Sequence, residues 1–262
     1  MIEKAAEKPA EQAAGQDQHS VGHIAEHLAQ VRAQVADAAR AAGRDPAEVT
    51  LIAVSKTKPA AAVLEALRAG QVVFGENRVQ EAVAKMEALA PLLAAEGAPL
   101  PAPQWHLIGN LQRNKARFVP GAFAMLHTID SARLAETLDQ QMAQRAAGET
   151  LPVLLQLNWD GEPTKSGVRD WEELLALGEA MRPLTRLRMV GLMSIPDPAL
   201  DEAATRVRFA QVREAAGKLR GALGLGAEFR ELSMGMSHDY AWAIAEGATM
   251  VRVGTAIFGA RP

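Results

Sequence analysis

The sequence predicts a single α/β domain, a (β/α)8 TIM barrel preceded by one N-terminal helix. Short apolar runs typical of buried strands recur eight times, and helical sequence follows each run. Strands that alternate with helices pair in parallel, because each crossover needs a helix to return the chain. The eight units occupy about 240 residues, close to the roughly 250 residues of a closed barrel. A doubly wound open sheet is the alternative, because the second and seventh runs are short.

The elements follow one another in a regular order. An opening helix is predicted over residues 20–43, where apolar residues recur at helical spacing and Gly43 closes the pattern. The eight strands are predicted over residues 50–55, 72–74, 105–108, 125–129, 153–157, 189–193, 231–233 and 250–253. Amphipathic helices are predicted between strands over residues 133–144, 171–182 and 203–223, and the proline-rich stretches 98–103 and 196–198 are predicted loops.

Composition excludes several partners and chemistries. With 28 basic and 31 acidic residues and a net charge of −3, the chain lacks the basic character of a nucleic-acid-binding protein. It has no cysteine, which excludes disulfides, thiolate catalysis and cysteine-ligated metal. Its six histidines show no ligand spacing, so no metal site is expected. No apolar stretch approaches the roughly 20 residues that span a bilayer, so no membrane association is expected.

The chain is predicted to contain an extension and one domain. Residues 1–19 are polar and alanine-rich and lack the apolar segment of a secretory signal, so we expect a disordered N-terminal extension. Residues 20–262 show no break in composition and are assigned to the barrel. A cytoplasmic location is the expectation that follows.

Lys56 comes directly after the first predicted strand, whose apolar run ends at Val54. Pro59 suits the first turn of the next helix, so Lys56 is expected at the carboxyl end of the strand, where barrels carry their active sites. Apolar neighbours there favour the neutral amine, which is the form that attacks a carbonyl carbon to give a Schiff base. A solvated loop lysine is the alternative.

Two groups of residues after the seventh and eighth strands predict a phosphate site. Gly235 and Gly254 allow close backbone approach, Ser237 is predicted to cap the following helix, and Thr255 adds a hydroxyl. The loops after these two strands are the usual phosphate site of barrels. Ordinary turns are the alternative for either group taken alone.

A reactive lysine and a phosphate site on one rim together predict pyridoxal 5′-phosphate (PLP) as the cofactor, because PLP needs both an amine and an anion site. Alternation along the last strand points Arg252 into the barrel mouth, where it would face the pyridine nitrogen and keep it unprotonated. A structural ion pair of Arg252 with Glu76 or another strand-end carboxylate is the alternative. Asn77 is expected near the phenolate of the ring or as a turn cap. Aromatic residues are scarce, so Met193 is expected to pack on the ring.

The chain resembles the PLP homeostasis protein family, called YggS in bacteria and PLPBP or PROSC in animals. The resemblance runs from about Ile24 to the C-terminus and rests on many ordered motifs. They are AVSKTKP (53–59), FGEN (74–77), WHLIG (105–109), HTIDS (127–131), KSG (165–167), GLMSIP (191–196), LSMGMS (232–237) and VRVGTAIFG (251–259).

The resemblance implies a barrel like the N-terminal domain of alanine racemase, with PLP on Lys56 and Arg252 toward the ring nitrogen. It implies phosphate contacts from Met236, Ser237, Gly254 and Thr255. It also implies a cytoplasmic homeostasis protein without an established reaction, and we expect a monomer that exchanges PLP with PLP-dependent apo-enzymes. His238 departs from the family pattern and is expected to be an exposed histidine at a helix start.

Several candidates keep a simpler interpretation. His106 and His127 are expected to be hydrogen-bonded core or rim residues. Lys58 and Lys165 are expected to be solvated, with Lys165 the stronger candidate for a second PLP contact. The alternative function is a PLP-dependent racemase-like enzyme; a phosphate-binding aldolase-type barrel is a weaker one. The single tyrosine, Tyr240, lies after the phosphate site, where it is badly placed to act as a second catalytic base, and only eight residues follow Gly254.

Overall fold

The computed structural model describes residues 23–162 and 165–260. Within them, eight parallel strands form a closed barrel in which each strand pairs with the next and β8 pairs with β1. The strands are β1 (Thr50–Val54), β2 (Val73–Glu76), β3 (Gln104–Leu107), β4 (Met125–Ile129), β5 (Leu151–Leu157), β6 (Leu187–Ser194), β7 (Glu231–Ser233) and β8 (Met250–Val253). The helices are α1 (His23–Ala41), α2 (Ala60–Arg68), α3 (Val79–Ala94), α4 (Ala132–Arg145), α5 (Trp171–Met181), α6 (Glu202–Leu223), α7 (Tyr240–Ala245) and α8 (Thr255–Phe258).

The predicted barrel is confirmed, and the pairing of β1 with β8 rules out the open sheet. The connection from β3 to β4 contains a 3₁₀ helix, Arg113–Phe118, where the others contain α-helices. The second strand lies one to two residues further along the chain than predicted, whereas β7 matches its prediction. The opening helix is confirmed as α1, and the predicted extension over residues 1–19 lies outside the described residues.

Helix α1 packs across the outside of the barrel beside α2, α7 and α8. It covers this region because α7 and α8 have only six and four residues. Its buried stripe consists of Ile24, Leu28, Val31, Val35 and Ala39. Burial of each large aliphatic side chain stabilises the fold by about 1.5–3 kcal/mol, so this stripe holds α1 against the barrel. Just beyond it, the Arg44 guanidinium donates to the carbonyls of Ile244 and Ala248 at 2.9 and 2.7 Å, which satisfies groups at and after the end of α7.

Helix caps fix where the chain leaves the carboxyl rim of the barrel. Ser131, Asp170 and Asp201 each accept a hydrogen bond from an amide in the first turn of α4, α5 and α6. These caps set the lengths of the strand-to-helix loops, which all lie on one face of the barrel. Across the described ranges, no helix is both long enough and apolar enough to cross a membrane.

Candidate cofactor site at the carboxyl rim

A cavity of about 200 Å³ opens among the strand-to-helix loops. Its lining residues are Val54, Lys56, Lys58, Asn77, Ile108, Ile195, Met236, Ser237, Arg252, Gly254, Thr255 and Gly259. The structure therefore brings together seven of the eight predicted site residues. Met193 is the exception, because it is fully buried with Leu154 and Val190 in the barrel interior. The apolar walls of the cavity come from Val54, Ile108 and Ile195 instead.

The loop that carries Lys56 is held by hydrogen bonds on both sides of that residue, with buried partners on the Ser55 side. The Ser55 carbonyl accepts from Lys85 Nζ at 2.6 Å, and the Ser55 hydroxyl donates to Glu76 at 2.7 Å. The Thr57 amide donates to the Glu81 carboxylate at 2.6 Å. Among the described residues, Thr57 is the only non-glycine residue with positive φ, at 63°. A β-branched residue in this conformation costs about 1–3 kcal/mol, so the surrounding contacts impose it.

Lys85 was not singled out by the sequence analysis, although its position on α3 carries a signal. The buried stripe of that helix is Val79, Ala82, Lys85 and Leu89, so a lysine occupies a core position. Its ammonium lies 2.5 Å from Glu76 and 3.6 Å from Glu81. A cation on the apolar face of a helix needs a buried partner, and here the partner is the strand-end carboxylate next to the site.

Glu76 therefore pairs with Lys85 and not with Arg252, so the ion pair of Arg252 with Glu76 that was considered as an alternative is wrong. Burial is the largest influence on the Glu76 carboxyl and raises its pKa. The hydrogen bond and charge of Lys85, followed by the Ser55 hydroxyl, oppose that rise. The pair is buried on both sides, with 6% of the lysine side chain and none of the glutamate side chain exposed.

Arg252 points into the barrel, as alternation along β8 predicts, and its guanidinium lines the cavity. Its Nη1 donates to the Ser233 hydroxyl at 2.6 Å and its Nη2 to the Ser194 carbonyl at 3.0 Å. Burial lowers the pKa of Arg252 to about 10, while the charge of Asp239 raises it. The guanidinium consequently remains charged at neutral pH.

His106 and His127 lie in the barrel interior behind Arg252. Nδ1 of His106 is 3.0 Å from Nε2 of His127, and Nδ1 of His127 is 2.8 Å from the Ser233 hydroxyl. Burial lowers the pKa of His106 to about 4, and burial with the charges of His106 and Arg252 lowers the pKa of His127 well below 6.5. The prediction that both are hydrogen-bonded core residues is confirmed.

The residues predicted to bind phosphate lie together at the cavity, but the start of α7 differs from the prediction. Ser237 does not cap α7; Asp239 occupies the N-cap position without a capping hydrogen bond from its side chain, and its carboxylate instead accepts from the Met236 amide, which precedes the helix, at 2.6 Å. Gly235 has φ of 93°, and a Cβ there would lie 2.6 Å from the Ala243 Cβ, so this glycine serves the close packing of α7. The hydroxyl-bearing residues Ser237 and Thr255 both line the cavity, which leaves them available to a ligand.

Close approach of two loops places Asn77 at the cavity. A Cβ on Gly109 would lie 2.2 Å from the Asn77 carbonyl oxygen, so only glycine fits at that point. The side-chain oxygen Oδ1 of Asn77 is buried and has no hydrogen-bond partner within the described residues. Buried polar atoms are nearly always satisfied, so this atom is a candidate hydrogen-bond acceptor for a bound ligand.

The remaining candidates are placed as follows. Lys58 lines the cavity and donates to the Ala260 carbonyl at 2.7 Å, so it is not simply solvated. Lys165 is half-buried and does not itself line the cavity; its ammonium binds Glu162 at 2.7 Å and donates to the carbonyls of Ile195 and Pro196, and Ile195 is a lining residue. His238 is exposed just before α7, as predicted. Within the described part of the chain, no group of three or more His, Asp or Glu side chains is arranged to hold a metal ion.

Comparison with known proteins places the chain in a family. A family model described as "Alanine racemase, N-terminal domain" matches residues 26–262. The pyridoxal phosphate homeostasis protein of Pseudomonas aeruginosa is 50% identical over 232 residues, which cover 88% of this chain and 93% of the relative. The protein of the same name in Escherichia coli is 46% identical over 231 residues, covering 88% and 94%. The chain belongs to the pyridoxal phosphate homeostasis protein family.

A solved member of the family has the same architecture. PipY of Synechococcus elongatus, in a structure with PLP bound, has a TM-score of 0.76 and 42% sequence identity. The match covers 90% of this chain and 100% of PipY. The resemblance inferred from the motifs and the alanine racemase-like barrel are thus both confirmed.

Proposed function

We propose that this chain binds PLP through a Schiff base on Lys56 and exchanges it with other cytoplasmic proteins, which makes it a PLP homeostasis protein. The observation that carries the proposal is that one cavity is lined by the lysine amine, two hydroxyls and a charged arginine. The name of the relatives and the PLP bound to PipY support it independently.

The chemistry of the cavity fits PLP from end to end. Lys56 offers the amine for the aldehyde, and Ser237 and Thr255 offer hydroxyl donors for the phosphate beside Gly254 and Met236. In this proposal Asn77, which lines the cavity, is assigned to the phenolate side of the ring. The apolar side chains at the cavity wall suit the two faces of the pyridine ring.

Arg252 favours holding the cofactor over catalysis with it. PLP supplies an electron sink when its ring nitrogen is protonated, and a charged arginine opposite that nitrogen disfavours protonation. Arg252 is charged at neutral pH and its two terminal nitrogens are already fixed by Ser233 and Ser194. We therefore expect a reversible carrier, acting as a monomer, that donates PLP to PLP-dependent apo-enzymes.

Replacing Lys56 with alanine tests the proposal directly. The wild-type protein with PLP should show the absorbance of a lysine imine at about 420 nm. Lys56→Ala should lose this absorbance and keep its far-ultraviolet circular dichroism, because Lys56 lies in a rim loop and not in the packed interior.

Lys58→Ala is the matched control, since Lys58 lines the same cavity, and it should retain the absorbance. A borohydride-trapped PLP adduct on the Lys56→Ala protein would contradict the assignment and move it to Lys58 or Lys165.

The second candidate is a racemase-like enzyme, which the family model with its alanine racemase domain favours. A two-base racemase needs a proton donor on each face of the ring, and tyrosine is the usual second one. Here the Tyr240 hydroxyl donates to Gln34 on α1 at 2.8 Å, outside the cavity lining. We therefore expect no exchange of the alanine α-proton in deuterium oxide. Exchange at or above roughly 1 s⁻¹, the low end for ordinary enzymes, would establish catalysis instead.

A further inference from the structure

A continuous chain of hydrogen bonds crosses the barrel interior behind Arg252. It runs from Nη1 of Arg252 to the Ser233 hydroxyl (2.6 Å), to Nδ1 of His127 (2.8 Å), and from Nε2 of His127 to Nδ1 of His106 (3.0 Å). Each of the four residues is at most 5% exposed, and they come from β8, β7, β4 and β3. Branched apolar side chains usually fill a barrel, and buried polar groups cost free energy unless they are hydrogen-bonded.

The positions of the protons along this chain follow from the available donors and acceptors. Arginine only donates, so the Ser233 oxygen accepts from Arg252 and its own proton points to His127. Nδ1 of His127 is then an acceptor, and the single N–H of the neutral ring lies on Nε2. That N–H donates to Nδ1 of His106, so His106 is protonated on Nε2 as well.

The opposite direction fails at Ser233. If His127 donated to Ser233, the serine oxygen would accept two hydrogen bonds, from Arg252 and from His127. Its own proton would then need a third neighbour, and the described hydrogen bonds of Ser233 provide none. All donors in the assigned chain point away from the guanidinium, so the positive charge of Arg252 polarises each bond in the same sense.

We propose that Ser233 and His127 are positioning residues that hold the Arg252 guanidinium against the ring end of the PLP cavity, with His106 closing the chain. The proposal rests on the proposed function, because it assigns these residues to the ring nitrogen of PLP. The Ser233 hydroxyl and the Ser194 carbonyl fix the two terminal nitrogens of Arg252, a residue that lines the cavity.

Neutral histidines are a condition of this arrangement. A charged His127 would be a second buried cation next to Arg252 and would have no lone pair for the Ser233 proton. Burial and the charge of Arg252 hold the pKa of His127 well below its ordinary value, which keeps Nδ1 free to accept. The chain therefore carries one positive charge, at the end that lines the cavity.

Ligand discrimination tests the role of the chain. PLP is titrated against an analogue in which a C–H replaces the ring nitrogen, with wild type, Ser233→Ala, His127→Leu and His127→Asn. Ser233→Ala and His127→Leu should each weaken the binding of PLP by about tenfold or more, which is the loss expected for one hydrogen bond to a charged group. Neither variant should change the binding of the analogue. His127→Asn should largely restore PLP binding, because its side-chain oxygen can accept from Ser233.

A second measurement uses the wild-type protein without cofactor. Nitrogen-15 NMR of the histidine rings at pH 7 should show His106 and His127 neutral and protonated on Nε2, and it stays informative if His127→Leu does not fold. Equal weakening of PLP and the analogue by Ser233→Ala would overturn the proposal, as would a charged or Nδ1-protonated His127. A wild-type protein that binds neither ligand would overturn the proposed function instead, and the ring tautomers separate the two failures.

Discussion

Replacing Lys85 with methionine tests how the Lys56 loop is supported. The change keeps the length of the buried stem and removes the ammonium that binds Glu76 at 2.5 Å and the Ser55 carbonyl at 2.6 Å. Glu76 has no exposed side-chain surface, so its charge is left without a counter-ion. Removing one partner of a buried ion pair costs about 3–5 kcal/mol of unfolding free energy. We expect Lys85→Met to lower the unfolding free energy by an amount in that range at pH 8.

The cost should depend on pH, because it comes from burying the ionised Glu76 carboxylate. Burial already raises the pKa of Glu76 against the opposition of Lys85, and removing Lys85 raises the pKa further. A pKa that is raised in the folded state gives stability that is present at low pH and lost as pH rises through that pKa. The loss of unfolding free energy caused by Lys85→Met should therefore be smallest below the wild-type pKa of Glu76. As pH rises above that pKa, the loss should grow by up to about 1.4 kcal/mol per pH unit.

Urea unfolding at pH 5 and pH 8 measures both quantities. Lys218→Met is the matched control, because Lys218 is an exposed lysine on α6, and it should change the unfolding free energy by less than about 1 kcal/mol at either pH. The double variant Lys85→Met with Glu76→Gln should recover most of the loss, since no buried charge remains. A loss for Lys85→Met that is the same at both pH values would refute the reasoning.

Two further predictions concern the phosphate end of the cavity and the buried His106 behind Arg252. Ser237→Ala with Thr255→Val should weaken PLP more than pyridoxal, which lacks the phosphate, by about 1.5–3 kcal/mol per lost hydrogen bond; equal weakening in titrations would count against the phosphate contacts. The pKa of His106 falls from 6.5 unfolded to about 4 folded, so its contribution to stability is present above pH 6.5 and is lost as pH falls through 4. The loss amounts to about 3 kcal/mol. In urea unfolding, the unfolding free energy of His106→Gln should fall less steeply between pH 6.5 and pH 4 than that of the wild type. The same fall in both proteins would contradict this prediction.

The fold and the rim residues could be predicted because they depend on local patterns. Buried parallel strands give short apolar runs, and the residue after each run has to lie at the carboxyl rim. This is why Lys56, Asn77 and Thr255 were found. Arg252 was found by alternation alone, since β8 places it inside the barrel.

Depth within the barrel was not predictable from alternation. Met193 and Ile195 both belong to the inward-facing side of the β6 region, but only Ile195 reaches the cavity. Helix starts show the same limit, because Ser237 and Asp239 are both good cap residues. In the structure Asp239 takes the N-cap position, without a capping hydrogen bond from its side chain. Ser233 was not predicted as the partner of Arg252. Glu76 and Ser233 are the last residues of β2 and β7, and their positions in the sequence do not show which of the two Arg252 contacts.

Lys56 and Arg252, the two residues proposed to hold PLP, are supported by two separate hydrogen-bond networks. Lys85, Glu76 and Glu81 fix the backbone on both sides of Lys56, whereas Ser233 and the histidines fix the guanidinium of Arg252. Both networks consist of hydrogen bonds between protein groups, so the proposed function predicts that Lys56 and Arg252 are positioned without help from PLP. Preorganisation removes most of the ordering cost of binding. In the proposed carrier role, the same positioning would let the site load and donate PLP repeatedly without rebuilding its hydrogen bonds.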